Sequence, residues 1–154
     1  MKVLKFGGTS VGSVDSIRQI QHIIGQQTDD CIVVVSALGG ITDQLLKAAH
    51  LALEAGEEYM EVYQAIRCRH MDMVNTLITN PTTRQMLCLE LEGILDELRS
   101  ILFGVHLVKD LSDKTEAAIV SYGERMSSRI VTAALPGAVR KNSLEFIRTD
   151  RKQG

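Results

Sequence analysis

A strand, a pair of adjacent glycines and the start of a helix follow one another at the beginning of this sequence. The apolar residues between positions 3 and 6 predict a short buried strand. Gly7 and Gly8 then allow a tight turn in which backbone N–H groups converge, because no side chain intrudes there. Ser13 precedes an apolar pattern of helical spacing and can accept a hydrogen bond from the first free N–H groups of that helix. This order of elements favours an α/β fold.

A second strand is predicted directly after this helix, which should extend from Val14 to Gln26. Residues 31–35 form a continuous, largely β-branched run, which is typical of a strand in the interior of a parallel sheet. Strand, helix and strand together make a βαβ unit with a right-handed crossover. Both strands then end at the same edge of the sheet, where open α/β folds bind their ligands.

The first turn carries the groups that a polyphosphate requires. Lys5 supplies a positive charge from the end of the strand, and the N–H groups of Gly7 and Gly8 point outward above a helix N-terminus. Thr9 and Ser10 add hydroxyl groups. The spacing is neither that of a Walker A loop nor that of G-x-G-x-x-G. An ordinary tight turn between strand and helix is the alternative interpretation.

A similar loop follows the second strand. Ser36 is succeeded by the glycine pair at positions 39–40 and by Thr42 and Asp43, either of which is predicted to cap the next helix. A capped connection without further function is the alternative interpretation of this loop. Because both loops are expected at one sheet edge, we interpret them as two walls of one site.

The second half of the chain is predicted to be almost entirely helical. Two apolar stripes between residues 57 and 104 are separated by Asn80 and Pro81, and Gly104 is predicted to cap the second helix at its C-terminus. These two helices should pack as an antiparallel hairpin. Another helix is predicted from Ser112 onward, followed by a short strand at residues 144–147.

A glycine and a glutamate stand in the middle of that last helix. Gly123 costs about 1 kcal/mol there relative to alanine, and a close approach of the backbone to a ligand would explain its presence. Glu124 follows it and, on composition alone, is interpreted as a solvated carboxylate paired with Arg125 or Arg129.

Three segments together carry a family resemblance. Lys-Phe-Gly-Gly-Thr-Ser at residues 5–10, Ser-Ala-Leu-Gly-Gly-Ile-Thr at 36–42 and Val-Ser-Tyr-Gly-Glu-Arg-Met-Ser at 120–127 resemble the aspartokinases, members of the amino-acid kinase family. The resemblance implies a three-layer αβα sandwich of the carbamate kinase-like type, with a helical hairpin insertion. It also implies transfer of the ATP γ-phosphoryl group to the β-carboxylate of L-aspartate. This gives 4-phospho-L-aspartate, the first step towards lysine, threonine and methionine.

The resemblance assigns a role to each candidate residue. Lys5 is implied as the catalytic charge, and the phosphate-binding residues are Lys5, Gly7, Gly8, Thr9 and Ser10. The residues implied to contact the amino acid are Ser36, Thr42 and Glu124. ATP and Mg²⁺ are the implied cofactors, with Mg²⁺ held mainly through the nucleotide phosphates rather than by protein ligands. Kinases of other carboxylates, such as glutamate or acetylglutamate, share the opening, but the Thr-Ser continuation and the Gly-Glu-x-Met-Ser segment favour aspartate.

Aspartokinases extend well beyond 154 residues, with a second half that carries most of the nucleotide pocket and with ACT domains. We therefore expect residues 1–154 to be the N-terminal part of a longer kinase, either monofunctional or fused to homoserine dehydrogenase. The fragment alone is expected to be inactive and to form a homo-oligomer, most simply a dimer. The competing interpretation is a binding or assembly module that kept the fold and lost the chemistry.

Composition and net charge limit the partners, the cellular location and the metal sites that can be expected for this chain. The net charge of −2 gives no electrostatic reason to expect nucleic acid or an anionic membrane as a partner. The N-terminus does not have the pattern of a secretory signal, and no apolar run is long enough to span a bilayer. Three widely spaced cysteines favour reduced thiols in the cytoplasm. Cys68 and His70 lack the spacing of a metal site.

Overall fold

The computed structural model describes residues 2–7, 11–27, 30–135, 138–141 and 146–149. Of the last two segments, only the backbone is described. Within the described ranges, four strands and five helices follow one another in the order β1 (Lys2–Phe6), α1 (Val14–Gly25), β2 (Cys31–Val35), α2 (Ile41–Leu51), α3 (Glu58–Leu77), α4 (Pro81–Val108), α5 (Asp113–Ala134), β3 (Ala138–Lys141) and β4 (Phe146–Thr149). The predicted α/β class is confirmed.

The strands form one mixed sheet in the order β1-β2-β4-β3. β1 and β2 are parallel, with Phe6 opposite Val35, so their carboxyl ends are level with each other. β4 returns antiparallel to β2, and β3 is antiparallel to β4. The predicted βαβ unit is therefore confirmed, whereas β2 lies between one parallel and one antiparallel neighbour rather than inside a parallel sheet. β3 was not predicted. The predicted strand at residues 144–147 overlaps β4, which is described from Phe146 to Thr149, and Leu144 and Glu145 lie outside the described residues.

One face of β2 belongs to the main core. Cys31, Val33 and Val35 are buried, whereas the alternating residues Ile32 and Val34 are only half-buried. The buried face joins the apolar stripes of all five helices in a single cluster. Burial on this scale is the main source of stability in such a domain.

α3 and α4 form the predicted hairpin, and their ends differ in part from the prediction. Pro81 occupies the first turn of α4, and the Asn80 side chain accepts a hydrogen bond from the Thr83 N–H at 3.0 Å. Gly104 does not end α4. The helix continues to Val108 and ends at Lys109, which adopts a left-handed conformation with φ of 55°. In the described part of the chain, no helix is long and apolar enough to cross a membrane.

Candidate functional site

A cleft opens where β1 and β2 end side by side. It has a volume of about 250 Å³ and is lined by Lys5, Phe6, Gly7, Val34, Val35, Ser36 and Glu124. Three of the predicted site residues that carry functional side chains therefore meet in one place: Lys5, Ser36 and Glu124. They come from β1, from the residue after β2 and from the middle of α5.

The loop after β1 is fixed at both ends. The N–H of Val11 donates to the carbonyl oxygen of Gly7 at 3.1 Å, which closes the turn. Ser13 caps α1 as predicted, because its hydroxyl oxygen accepts the N–H of Ser16 at 3.1 Å. Lys5 is exposed at the end of the strand. The predicted phosphate-binding residues Gly8, Thr9 and Ser10 lie outside the described residues, so their roles stay predictions.

The backbone of Ser36 is held by two hydrogen bonds, whereas its hydroxyl group is only weakly hydrogen-bonded. Its N–H donates to the carbonyl oxygen of Phe6 at 3.1 Å, which extends the pairing of β1 and β2 by one residue. Its carbonyl oxygen accepts the hydroxyl of Ser127 at 2.7 Å. Among the described residues, the hydroxyl of Ser36 itself makes only a long contact of 3.4 Å, with the carbonyl oxygen of Ala37. It is therefore available to a ligand in the cleft.

Ser127 was not predicted as a site residue. It is fully buried on α5 and orients Ser36 through the hydrogen bond to its carbonyl oxygen. A signal for this was present, because Ser127 follows Gly123 by four residues and therefore lies on the same, core-facing side of the helix. A small hydroxyl residue on a buried helical face needs a hydrogen-bond partner.

Glu124 faces the cleft and is exposed. The two arginines that could have neutralised it have other partners. Arg125 pairs with Glu97 at 3.1 Å and Arg129 pairs with Glu90 at 2.7 Å. Within the ranges that the structure describes, Glu124 forms no ion pair. The alternative of a carboxylate paired with Arg125 or Arg129 is not what the structure contains.

Gly123 is required for packing between helices. A Cβ atom at this position would lie 2.7 Å from the Cβ of Ala37, and 3.2 Å and 3.3 Å from side-chain atoms of Leu45 and Ile41. The close approach that the sequence indicated is therefore real. Its partner is α2 and the loop before it, so the suggested contact with a ligand was wrong.

Thr42 lies apart from the other candidates. It is exposed in the first turn of α2 and does not line the cleft that contains Lys5, Ser36 and Glu124. Neither Thr42 nor Asp43 caps the helix. The N-cap is Gly40, whose φ of 82° is in the left-handed region and which has no side chain to offer. Contact of Thr42 with an amino acid stays a prediction.

Arg69 is a second residue near the site that sequence reasoning missed. From α3, its guanidinium donates to the carbonyl oxygen of Gly39 and, at 3.0 Å, to that of Gly12. It thus joins the two loops that end β1 and β2. Arg69 follows the buried Ile66 by three residues and precedes the buried Met73 by four, so an arginine on the core-facing side was the available signal.

Comparison with known proteins assigns the fold to a family. A model of the amino acid kinase family matches residues 1–151 of the chain. The chain belongs to the amino acid kinase family.

Several curated relatives of this amino acid kinase chain are aspartokinases. Aspartokinase 2, chloroplastic, of Arabidopsis thaliana is 32% identical over 137 residues, which cover 86% of this chain and 24% of that protein. The bifunctional aspartokinase/homoserine dehydrogenase of Buchnera aphidicola is 30% identical over 141 residues, covering 88% of this chain and 17% of that protein. The chain thus spans about a quarter or less of the length of these relatives.

Solved structures of similar fold include those of an aspartokinase. The crystal structure of E. coli aspartokinase III in complex with lysine and aspartate aligns with a TM-score of 0.73 at 27% identity. It covers 87% of this chain and 28% of that one. The same enzyme in complex with aspartate and ADP aligns with a TM-score of 0.72 at 28% identity. The amino acid kinase fold inferred from three short motifs is confirmed.

The cleft of this amino acid kinase chain is small, and it is lined by side chains of opposite charge. Lys5 offers a cation to an anionic ligand, and Glu124 offers an anion to a cationic one. Its volume of about 250 Å³ lies below the roughly 300–1,000 Å³ of ordinary ligand pockets. Among the described residues, no three His, Cys, Asp or Glu side chains cluster as metal ligands would.

Proposed function

We propose that residues 1–154 are the N-terminal part of an aspartate kinase, which transfers the γ-phosphoryl group of ATP to the β-carboxylate of L-aspartate. The observation that carries the proposal is the meeting of Lys5, Ser36 and Glu124 in one cleft. These residues come from three separate motifs, and the aspartokinase names of the relatives support the same reaction. In this proposal, the remainder of the nucleotide site comes from residues beyond those present here.

The reaction needs positioning and charge neutralisation more than proton transfer. A side-chain carboxylate has a pKa of about 4 and is already ionised at pH 7, so no general base is required. One of its oxygens attacks the γ-phosphorus while the bond to the bridging oxygen of ADP breaks. Lys5 lines the cleft together with Gly7, and we expect its ammonium group to neutralise charge on the phosphate oxygens. Mg²⁺ bound to the phosphates would add further neutralisation.

The other side of the cleft suits the amino acid. The unpaired carboxylate of Glu124 can bind the α-ammonium group of aspartate, and the hydroxyl of Ser36 can donate to a substrate oxygen. Thr42 is proposed as a second hydroxyl contact, from the first turn of α2. In this division, phosphate recognition belongs to the end of β1, and amino-acid recognition belongs to the residue after β2, to α2 and to α5.

Two substitutions in the full-length protein test this division. Lys5→Met should lower kcat for aspartyl phosphate formation by about a hundred-fold or more, because a charge-stabilising group is lost. Glu124→Gln should weaken aspartate binding about ten- to a hundred-fold while leaving the affinity for ATP nearly unchanged. Trapping of the acyl phosphate as a hydroxamate measures both effects.

Matched controls and other substrates decide the outcome. Lys2→Met removes another exposed lysine of β1, whose ammonium contacts Gln27 at 3.2 Å, and should leave kcat unchanged. Equal turnover of glutamate or acetylglutamate by the wild type would instead favour a kinase of another carboxylate. Absence of turnover with every carboxylate would favour the non-catalytic module.

A cytoplasmic location stays a prediction, since several relatives are chloroplastic.

A further inference from the structure

The helical hairpin α3–α4 reaches the site through one side chain. The guanidinium of Arg69 donates to the carbonyl oxygens of Gly12 and Gly39, which belong to different loops. Gly12 immediately precedes Ser13, the N-cap of α1. Gly39 immediately precedes Gly40, the N-cap of α2. Arg69 therefore holds the two turns that lead from the strands into the following helices.

We propose that Arg69 is a positioning residue that fixes the separation between the phosphate-binding loop and the amino-acid-binding loop. The inference deepens the proposed kinase function and rests on it. Lys5 and Gly7 stand on one side of the bridge, and Ser36 stands on the other. If the loops drift apart, each ligand keeps its own contacts, but the attacking carboxylate and the phosphorus lose their alignment.

Arginine suits this bridge better than other residues. Its planar guanidinium carries five N–H donors in a rigid fork, so it can serve two carbonyl oxygens at once without rearranging. The turn at Gly40 lies directly against it, because a Cβ atom there would be 3.8 Å from Nη1 of Arg69. Lysine has a single nitrogen on a flexible stem and cannot reproduce the paired geometry.

The packing of α3 against α2 does not depend on this arginine. Fully buried apolar side chains from both helices, among them Leu45, Ile66 and Val74, already join them in the core. Arg67, two residues earlier on α3, makes a different kind of contact. It pairs with Glu92 of α4, inside the hairpin, and forms no hydrogen bond to either loop among the residues that the structure describes. Arg67 is therefore a matched control for Arg69.

The first test is kinetic and uses the full-length protein. Arg69→Met should lower kcat about ten- to a hundred-fold with much smaller changes in the KM values for ATP and aspartate, because a misplacement of about 1 Å can cost a hundred-fold in rate. Arg69→Lys should show a smaller loss of the same kind. Arg67→Met should leave kcat and both KM values near those of the wild type. Equal kinetic effects of the Arg69 and Arg67 variants would overturn the proposal.

The second test does not depend on turnover. Hydrogen exchange of backbone amides should become faster in Arg69→Met at residues 11–13 and 38–41, but not within β2. In Arg67→Met, exchange at both loops should match the wild type. If amide exchange in both loops is unchanged in Arg69→Met, the proposed positioning role of Arg69 is refuted, even if the kinase activity is real. If amide exchange in the loops is faster but the wild-type protein has no kinase activity, the proposed function is refuted, and the bridge between the two loops is still supported. If Arg69→Met does not fold, Arg69→Lys carries both tests.

Discussion

At the scale of single residues, folding strongly alters the pKa of His70. It is fully buried on α3, and its Nδ1 lies 2.7 Å from the carbonyl oxygen of Ile66. Its pKa is lowered from 6.5 to about 4, mainly by desolvation and to a smaller extent by the positive charge of Arg69, against the opposing effect of the hydrogen bond to Ile66. Its Nε2 has no hydrogen-bond partner in the described part of the chain. Folding therefore requires the neutral imidazole.

This requirement predicts a loss of stability in mild acid. Between pH 6.5 and about 4, the unfolded chain binds a proton at His70 that the folded chain does not, so the free energy of unfolding falls as the pH decreases. The expected contribution is about 2 kcal/mol between pH 7 and pH 5. Urea unfolding at the two pH values measures it. His70→Gln should shrink the difference by this amount, whereas His22→Gln, at an exposed position of α1, should not. An identical pH dependence in His70→Gln would contradict the assignment.

The sequence predicts the residues of the site better when they belong to a local pattern. Lys5, Ser36 and Glu124 stand in short motifs, and the structure brings all three into one cleft. Arg69 and Ser127 act through carbonyl oxygens of residues that are distant along the chain. Such contacts leave no periodic signature beyond a polar residue on a buried face. The fold must be known before their partners can be named.

At the scale of secondary-structure elements, the contact between α5 and the start of α2 determines how the motif at residues 120–127 lies against the motif at residues 36–42. Gly123 allows α5 to approach Ala37 so closely that even a methyl group would collide with it. The same turn of α5 presents Glu124 to the cleft and Ser127 to the carbonyl oxygen of Ser36. The position of the carboxylate therefore depends on the packing of the helix.

A pair of glycine substitutions tests this packing. Gly123→Ala should lower the free energy of unfolding by about 1–3 kcal/mol, because overpacking outweighs the better helix propensity of alanine. Gly93→Ala, at a helical position of α4 with no neighbouring atom within 4 Å, should raise it by about 0.5–1 kcal/mol. Chemical denaturation of both variants gives the comparison. Adding Ala37→Gly should restore part of the loss in Gly123→Ala. Stabilisation by Gly123→Ala alone would contradict the contact.

The sequence predicts which elements exist more reliably than it predicts where they end. The hairpin of α3 and α4 follows from two apolar stripes and from Pro81, which fits the first turn of a helix. Gly104 was interpreted as a cap, yet apolar residues beyond it continue the helix to Val108. Gly40 caps α2 through its backbone conformation rather than through a side chain, so composition alone could not identify it. The return of β4 beside β2 depends on tertiary pairing.

At the scale of the whole molecule, apolar groups remain on the surface. β1 is at one edge of the described sheet, and Val3 on it is 60% exposed. Along α4, large apolar side chains are exposed near both ends of the helix: Met86, Leu89, Phe103, Leu107 and Val108. Unpaired strand edges and apolar surface of this kind favour association with another chain.

We therefore expect the 154-residue chain, prepared alone, to form a homo-oligomer, most simply a two-fold dimer, without kinase activity. Light scattering at micromolar concentration measures its mass, and the hydroxamate assay measures turnover in the same sample. Replacing Leu107 and Val108 by lysine tests whether this apolar surface of α4 favours association. These side chains are 65% and 69% exposed, so their loss should not disturb the core. A monomeric wild-type chain, or one that turns over aspartate, would contradict this expectation.

The antiparallel pairing of β2 with β4 also affects how the chain emerges from the ribosome. Roughly 110 residues separate the two strands, although they are neighbours in the sheet. At a synthesis rate of about 5–20 residues per second, that interval takes on the order of 5–20 seconds. Throughout this time β1, α1 and β2 are complete, while the hydrogen-bonding groups along the second edge of β2 still lack their partner strand. A nascent chain of this topology has a waiting period in which chaperones, or a neighbouring nascent chain, can reach that edge first.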